Sequence, residues 1–153
     1  MRRAALTAVV LAATLGAGCS SDNNTQYFDA VLSPDNEVPA RASGASGVAR
    51  LTYDGTTVTF IVLAANFNNY TMGHIHSAAA GVNGPVRVFL YGPAAASSIA
   101  KGTLVEGSFT AANVTGIEFN ALIAEMRAGT AYVNFHTTAY PGGEIRGQTR
   151  LLN

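Results

Sequence analysis

Short segments in which apolar and polar residues alternate, each ended by a turn rich in glycine, asparagine or proline, constrain the fold of this chain most. In GVARLTYD, the residues Ala49, Leu51 and Tyr53 alternate with Val48, Arg50 and Thr52, which is the period of a β-strand. The DGT that follows is a hairpin turn into TVTFIVLAANF. Similar segments are PVRVFLYG, GTLVEGSFT, TAYVNFHT and GEIRGQTRLL. We predict an all-β fold of seven or more strands, as a β-sandwich or a partly closed barrel with Greek-key connections.

One segment has the pattern of a helix instead. In FNALIAEMRAG, Asn120 is a candidate cap, and Gly129 follows the segment as a terminator. Between them Leu122, Ile123 and Met126 form an apolar stripe at helical spacing. The sequence therefore predicts one short helix packed over the edge of the sandwich.

The first residues predict export and a lipid anchor. Arg2 and Arg3 precede the uncharged run AALTAVVLAATLGAG, which is too short and too rich in small residues for a membrane-spanning helix. Cys19 is the only cysteine, and its position resembles a bacterial lipobox. We predict a signal peptide at 1–18, acylated Cys19 with a flexible tether at 19–26, and one domain at 27–153. The alternative is an ordinary secretory signal with an incidental cysteine.

The charge pattern and the single cysteine limit the function classes further. Without the predicted signal peptide the chain has seven basic and nine acidic residues, and its basic residues form no cluster or stripe. This distribution argues against binding to nucleic acid. Because no second cysteine is present, the domain has to be held by its core and not by disulfides.

Two histidines lie one residue apart in an apparent strand. Alternation places His74 and His76 on one face, about 6.5 Å apart. The turn YPGGE would bring His136 near Glu144 or Arg146 across a hairpin. One hypothesis is a mononuclear copper or zinc site made by the three histidines, with Glu144 or water as a fourth ligand. The alternative is a hydrogen-bonded polar cluster that fixes the strand register.

Three motifs together resemble the CHRD domain, which is named from chordin. They are FDAVLSPDNEVPARASGASGVARLTYD, GHIHSAAAGVNGPV and AGTAYVNFHTTAYPGGEIRGQ. The resemblance implies a β-sandwich of immunoglobulin-like or Cu/Zn superoxide dismutase-like form, without an established enzymatic activity. The dinuclear site of that dismutase needs about six histidines and an aspartate. The chain has three histidines, so we do not expect superoxide dismutation.

The sequence favours a non-catalytic module over an enzyme. It has no nucleophile-elbow motif, and it does not contain a serine, a histidine and an aspartate in the chain order Ser-His-Asp. We expect a cell-envelope lipoprotein that acts as a binding or scaffold module, held by membrane lipid through acylated Cys19 at the outer membrane or cell surface. Its partner would be an envelope protein or a polysaccharide. The alternative is a copper or zinc protein, with or without redox activity.

Glu37, which precedes Val38 and Pro39, is interpreted as part of an edge turn.

Overall fold

The computed structural model describes residues 25–152. Eight strands and one α-helix account for most of this range, joined by two short 3-10 turns at Pro34–Asn36 and Ala111–Asn113. The elements are β1 (Gln26–Leu32), β2 (Ser46–Tyr53), β3 (Val58–Ser77), β4 (Val86–Tyr91), β5 (Ser97–Phe109), α1 (Phe119–Ala128), β6 (Ala131–Thr137), β7 (Ile145–Gln148) and β8 (Arg150–Leu151). The predicted all-β fold with one short helix is confirmed.

The long strand β3 organises the whole sheet. Its first part pairs with β2 on one side and with β5 on the other. Its second part, which contains both histidines, pairs with β4 and β6. Asn66 and Asn69 separate the two parts, and both have a φ of 54°. Asparagine tolerates this left-handed conformation better than most residues do. The pairing with β5 is irregular between Phe67 and Tyr70, and the pairing with β6 begins at Tyr70.

The sheet curls until it is nearly closed. Its strand order is β7-β6-β3-β2-β1-β8, and all of these pairs are antiparallel. A bridge between Ser33, just after β1, and Arg146 in β7 connects strands that are otherwise far apart in this order. The curled sheet encloses one hydrophobic core, whose largest side chains with almost no exposure include Phe28, Phe67, Phe109, Phe135, Leu32 and Leu51.

Helix α1 packs on this core with the predicted stripe. Leu122, Ile123 and Met126 are all buried. The helix ends at Gly129, whose φ of 70° is left-handed and is adopted by glycine at little cost. The cap position at the start is Glu118 and not Asn120, and no side chain makes a capping hydrogen bond there. None of the helices in the described part of the chain is both long and apolar enough to cross a membrane.

Two strand boundaries differ from the sequence prediction. TVTFIVLAANF and the histidine segment are one continuous strand and not two. The C-terminal segment is interrupted at Thr149, so that β7 pairs with β6 whereas β8 pairs with β1. Strand β1 begins at Gln26, the last residue of the predicted tether. The predicted signal peptide and Cys19 lie outside the described residues.

Candidate metal centre

The three histidines lie on the face of the sheet that points away from the hydrophobic core. In β3, Ile75 belongs to the core, so alternation turns His74 and His76 to the opposite face. In β6, Val133 and Phe135 belong to the core, and His136 lies on the other face. All three histidines are nevertheless buried, because loops cover this face. The sequence prediction that they converge therefore matches the structure.

The distances describe a compact cluster. One ligand atom from each of His74, His76 and His136 can be chosen so that all lie within 4.8 Å of one another. The ring centroids of His74 and His136 are 4.8 Å apart, and those of His74 and His76 are 5.5 Å apart. Three imidazoles this close can share one small ligand.

Hydrogen bonds determine which ring nitrogen of each histidine carries the proton. His76 Nδ1 lies 2.9 Å from the carbonyl oxygen of Gly84, and His136 Nδ1 lies 2.9 Å from that of Pro141. A carbonyl only accepts, so both Nδ1 atoms donate, and both Nε2 atoms of the neutral rings are lone pairs. His74 Nδ1 lies 3.0 Å from His136 Nε2, so His74 also donates from Nδ1. All three histidines therefore have an unprotonated Nε2.

Two of these lone pairs have no partner. The Nε2 atoms of His74 and His76 are buried and make no hydrogen bond. A buried polar atom without a partner costs about 1–3 kcal/mol, and such atoms are rare enough to need an explanation. A polar network that served only to fix the strand register would be expected to satisfy them.

Burial keeps the cluster neutral near pH 7. Desolvation lowers the pKa of His74 to about 4, with smaller contributions from His136 and His76. Desolvation is also the largest cause of the lowered pKa of His76 and of His136. Metal binding requires deprotonated imidazoles, and these three rings meet that requirement at neutral pH.

A second group of buried polar residues packs against the histidine cluster on the side of His76. The ring of His76 stacks on that of Tyr132 with centroids 4.8 Å apart, and the Arg146 guanidinium lies over the same Tyr132 ring at 4.9 Å. Arg146 Nε donates to Glu37 Oε2 at 3.0 Å in an almost fully buried ion pair. Asn134 Nδ2 donates to the other oxygen of Glu37 at 2.5 Å. Desolvation raises the pKa of Glu37, although Arg146 and Asn134 act against the shift.

The same arginine holds the loop that covers the histidines. Its Nη1 donates to the carbonyl of Val82 and its Nη2 to the side chain of Asn83. Gly84, the next residue, accepts from His76 and donates its amide hydrogen to the Tyr132 hydroxyl at 3.1 Å. Glu37, Arg146 and this loop therefore position the carbonyl that orients His76.

Glu144 occupies a different place from the one the sequence suggested. Its carboxylate accepts hydrogen bonds from Ser43 Oγ at 2.5 Å and from Thr137 Oγ1 at 2.6 Å. Among the described residues, the group whose ligand atoms converge consists of the three histidines and does not include Glu144. The carboxylate that pairs with Arg146 is Glu37, which the sequence interpretation had assigned to an edge turn. Its partner is more than a hundred residues away, so no local pattern revealed the pair.

The residues present fit a soft or borderline transition metal. Imidazole nitrogens suit copper and zinc, and proteins usually orient such ligands by a backbone carbonyl or carboxylate that accepts the hydrogen of the other ring nitrogen. His76 and His136 both have this carbonyl. Three protein ligands leave a position open for a fourth donor.

Comparison with known proteins agrees with this architecture at the level of the domain. A family model described as the CHRD domain matches residues 28–149. No curated protein and no solved structure matches the chain. The matched range contains most of β1, all of the elements from β2 to β7, and all three histidines.

Proposed function

We propose that this chain, which belongs to the CHRD domain family, is a non-catalytic binding module of the bacterial cell envelope whose ligand is one copper or zinc ion. The observation that carries the proposal is the pair of buried, unpartnered Nε2 atoms on His74 and His76, beside the unprotonated Nε2 of His136. A bound ion would give these lone pairs a partner. His74, His76 and His136 would hold it, and the ion would act as a Lewis acid toward any fourth donor.

The surroundings of the cluster support binding rather than turnover. His76 and His136 are oriented by backbone carbonyls, and each carboxylate oxygen of Glu37 and Glu144 already accepts a hydrogen bond. Neither carboxylate is therefore an unpaired base beside the cluster. The module would store or deliver the ion, or would use it to bind an envelope protein or polysaccharide.

Titration of the metal-stripped domain with copper and with zinc tests the proposal. We expect one saturable site with a dissociation constant below about 10 μM, which corresponds to roughly 7 kcal/mol. Divalent copper should bind more tightly than zinc. His76→Ala should remove most of the affinity while the domain stays folded. Wild-type protein that binds neither metal in this range would contradict the proposal and leave a structural role for the cluster.

The proposed location of the module in the cell envelope is argued from the N-terminal sequence. Cys19 follows an apolar run behind Arg2 and Arg3, and two or three acyl chains on this residue would anchor the domain stably. Cys19→Ser should therefore release the full-length protein from the membrane fraction or leave it unprocessed. Incorporation of labelled palmitate into the Cys19→Ser variant at the wild-type level would contradict lipid anchoring through Cys19.

A further inference from the structure

A methionine lies on the same strand face as the histidines. Met72, His74 and His76 are at positions i, i+2 and i+4 of β3, so alternation sends their side chains to one face. Met72 is also the direct partner of His136 in the pairing of β3 with β6. Directly opposed residues of an antiparallel pair have side chains on the same face, with Cβ atoms about 4.5–5.5 Å apart. Met72 thus borders the cluster beside His136.

Met72 is more exposed to solvent than Met126, the other methionine of the described residues. Met126 is fully buried in the hydrophobic core under α1. Met72 is half-buried and does not belong to the core cluster or to the hydrophobic residues packed against it. Its side chain therefore lies outside the hydrophobic core, and alternation places it on the face that carries the histidines.

The neutral ligands of the cluster suit a monovalent ion better than a divalent one. The three imidazoles and the thioether are neutral, and no carboxylate contributes a converging ligand atom in the described residues. The cation Arg146 lies over the Tyr132 ring on which His76 stacks, and its charge lowers the pKa of His76. Burying an ion costs more as its charge rises unless opposite charge compensates it. A monovalent ion is therefore the better match to this site.

We propose that the site takes copper(I), with the thioether of Met72 as a fourth ligand beside His74, His76 and His136. A thioether is a soft ligand that selects copper(I), and imidazole also suits copper, whereas zinc sites are built from thiolates, imidazoles and carboxylates. This inference rests on the proposed metal-binding function and names the oxidation state and the ligand that the sequence pattern Met-x-His-x-His places at the site.

Anaerobic competition titration with a copper(I) chelator, beside zinc titration, tests the inference on the metal-stripped protein. The variants are Met72→Leu and, as a matched control, Met126→Leu, which changes the methionine away from the site. We expect Met72→Leu to weaken copper(I) binding about tenfold or more and to change zinc binding far less. Met126→Leu should leave both affinities at the wild-type value. Thermal unfolding of the metal-free proteins checks that each variant folds.

X-ray absorption of the copper(I) complex gives a second readout that a structural role would not change. We expect a sulfur neighbour of copper in wild type and in Met126→Leu, and its loss in Met72→Leu. Three results would overturn this inference alone: tight metal binding with equal copper(I) affinity in wild type and Met72→Leu, a parallel loss of affinity for copper(I) and zinc in Met72→Leu, or a copper(I) ion in wild type with no sulfur ligand. Absence of binding by either metal would overturn the proposed function as well.

Discussion

At the scale of single residues, the histidines combine burial with ligand atoms that lie within 4.8 Å of one another. His74 is the most affected, since burial and the two neighbouring rings lower its pKa to about 4. An unfolded histidine titrates near 6.5. The folded and unfolded states therefore bind different numbers of protons between these two values, and the stability of the metal-free domain must depend on pH in this range.

The sign of this dependence follows from the depressed pKa. Above about pH 6.5 His74 is neutral in both states, whereas below it the unfolded chain takes up a proton that the folded state excludes. The free energy of unfolding should therefore fall between about pH 6.5 and pH 4, by about 3 kcal/mol from His74 alone. The pKa values of His76 and His136 are also lowered, so these residues change the free energy of unfolding in the same direction. Glu37, with its raised pKa, acts against the loss at the acidic end.

Urea unfolding of the metal-free domain at several pH values measures this effect. His74→Gln should flatten the profile, because the glutamine does not titrate. A free energy of unfolding that stays constant from pH 7 to pH 5 in wild type would show that the rings are not held neutral by burial.

The sequence revealed the histidines but not all of their partners. The alternation of His74 and His76, and the hairpin after His136, follow from local periodicity and turn chemistry. Glu37 could not be assigned this way, because its role depends on a contact with a residue 109 positions later. Met72 had a local signal, since it precedes His74 by two residues in the same strand.

At the scale of elements, the position of the histidines depends on the close contact between β3 and β6. Gly73 in β3 lies opposite Phe135 in β6. A Cβ at position 73 would lie 2.2–2.6 Å from three atoms of the Phe135 ring. The ring is fully buried and has little room to move, so the glycine is needed for the two strands to approach.

Gly73→Ala should therefore destabilise the domain by about 1–3 kcal/mol, the usual cost of overpacking a core. Gly44→Ala is the matched control, because nothing lies within 4 Å of a Cβ there and its backbone is not left-handed. Thermal or urea unfolding of both variants measures the difference. Equal stability of the two variants would contradict the close packing of β3 on β6.

Element types and the two hairpin pairings, β2 with β3 and β6 with β7, were predictable here, whereas the continuity of β3 and the long-range pairings were not. Alternation identified the strands, and the stripe with Gly129 identified α1. Strand β3 contains left-handed conformations at Asn66 and Asn69. Hydrophobic periodicity gives no information about these conformations, so it did not show that the two segments form one strand. The interruption at Thr149 depends on β8 reaching β1 across the molecule, which is a long-range pairing that local sequence does not encode.

At the scale of the whole molecule, one buried ion pair joins three distant parts of the chain. Glu37 follows β1, Arg146 lies in β7, and the arginine also binds Val82 and Asn83 in the loop after β3. Removing Glu37 would leave the guanidinium buried without its carboxylate. Breaking a buried pair in this way costs about 3–5 kcal/mol.

Glu37→Ala should accordingly lower the free energy of unfolding by about 3–5 kcal/mol. The chain offers a matched control in Asp29→Ala, because Asp29 pairs with Arg150, whose side chain is 70% exposed. That exposed pair should contribute little. Chemical denaturation compares the two variants, and a loss for Glu37→Ala no larger than that for Asp29→Ala would contradict the role of the buried pair.

The central claim is that three neutral imidazoles can hold one ion through unprotonated nitrogens, with the ion replacing the hydrogen bond that His136 Nε2 accepts from His74 Nδ1 in the metal-free domain. Nitrogen-15 NMR of the histidine rings tests it most directly, in the metal-free domain at pH 7 and after one equivalent of zinc or copper(I). We predict protonated Nδ1 and unprotonated Nε2 in all three rings before addition, and afterwards a shift of one nitrogen in each ring that is complete at one equivalent. Protonated Nε2 in the metal-free rings, or ring resonances that no metal changes, would contradict the account.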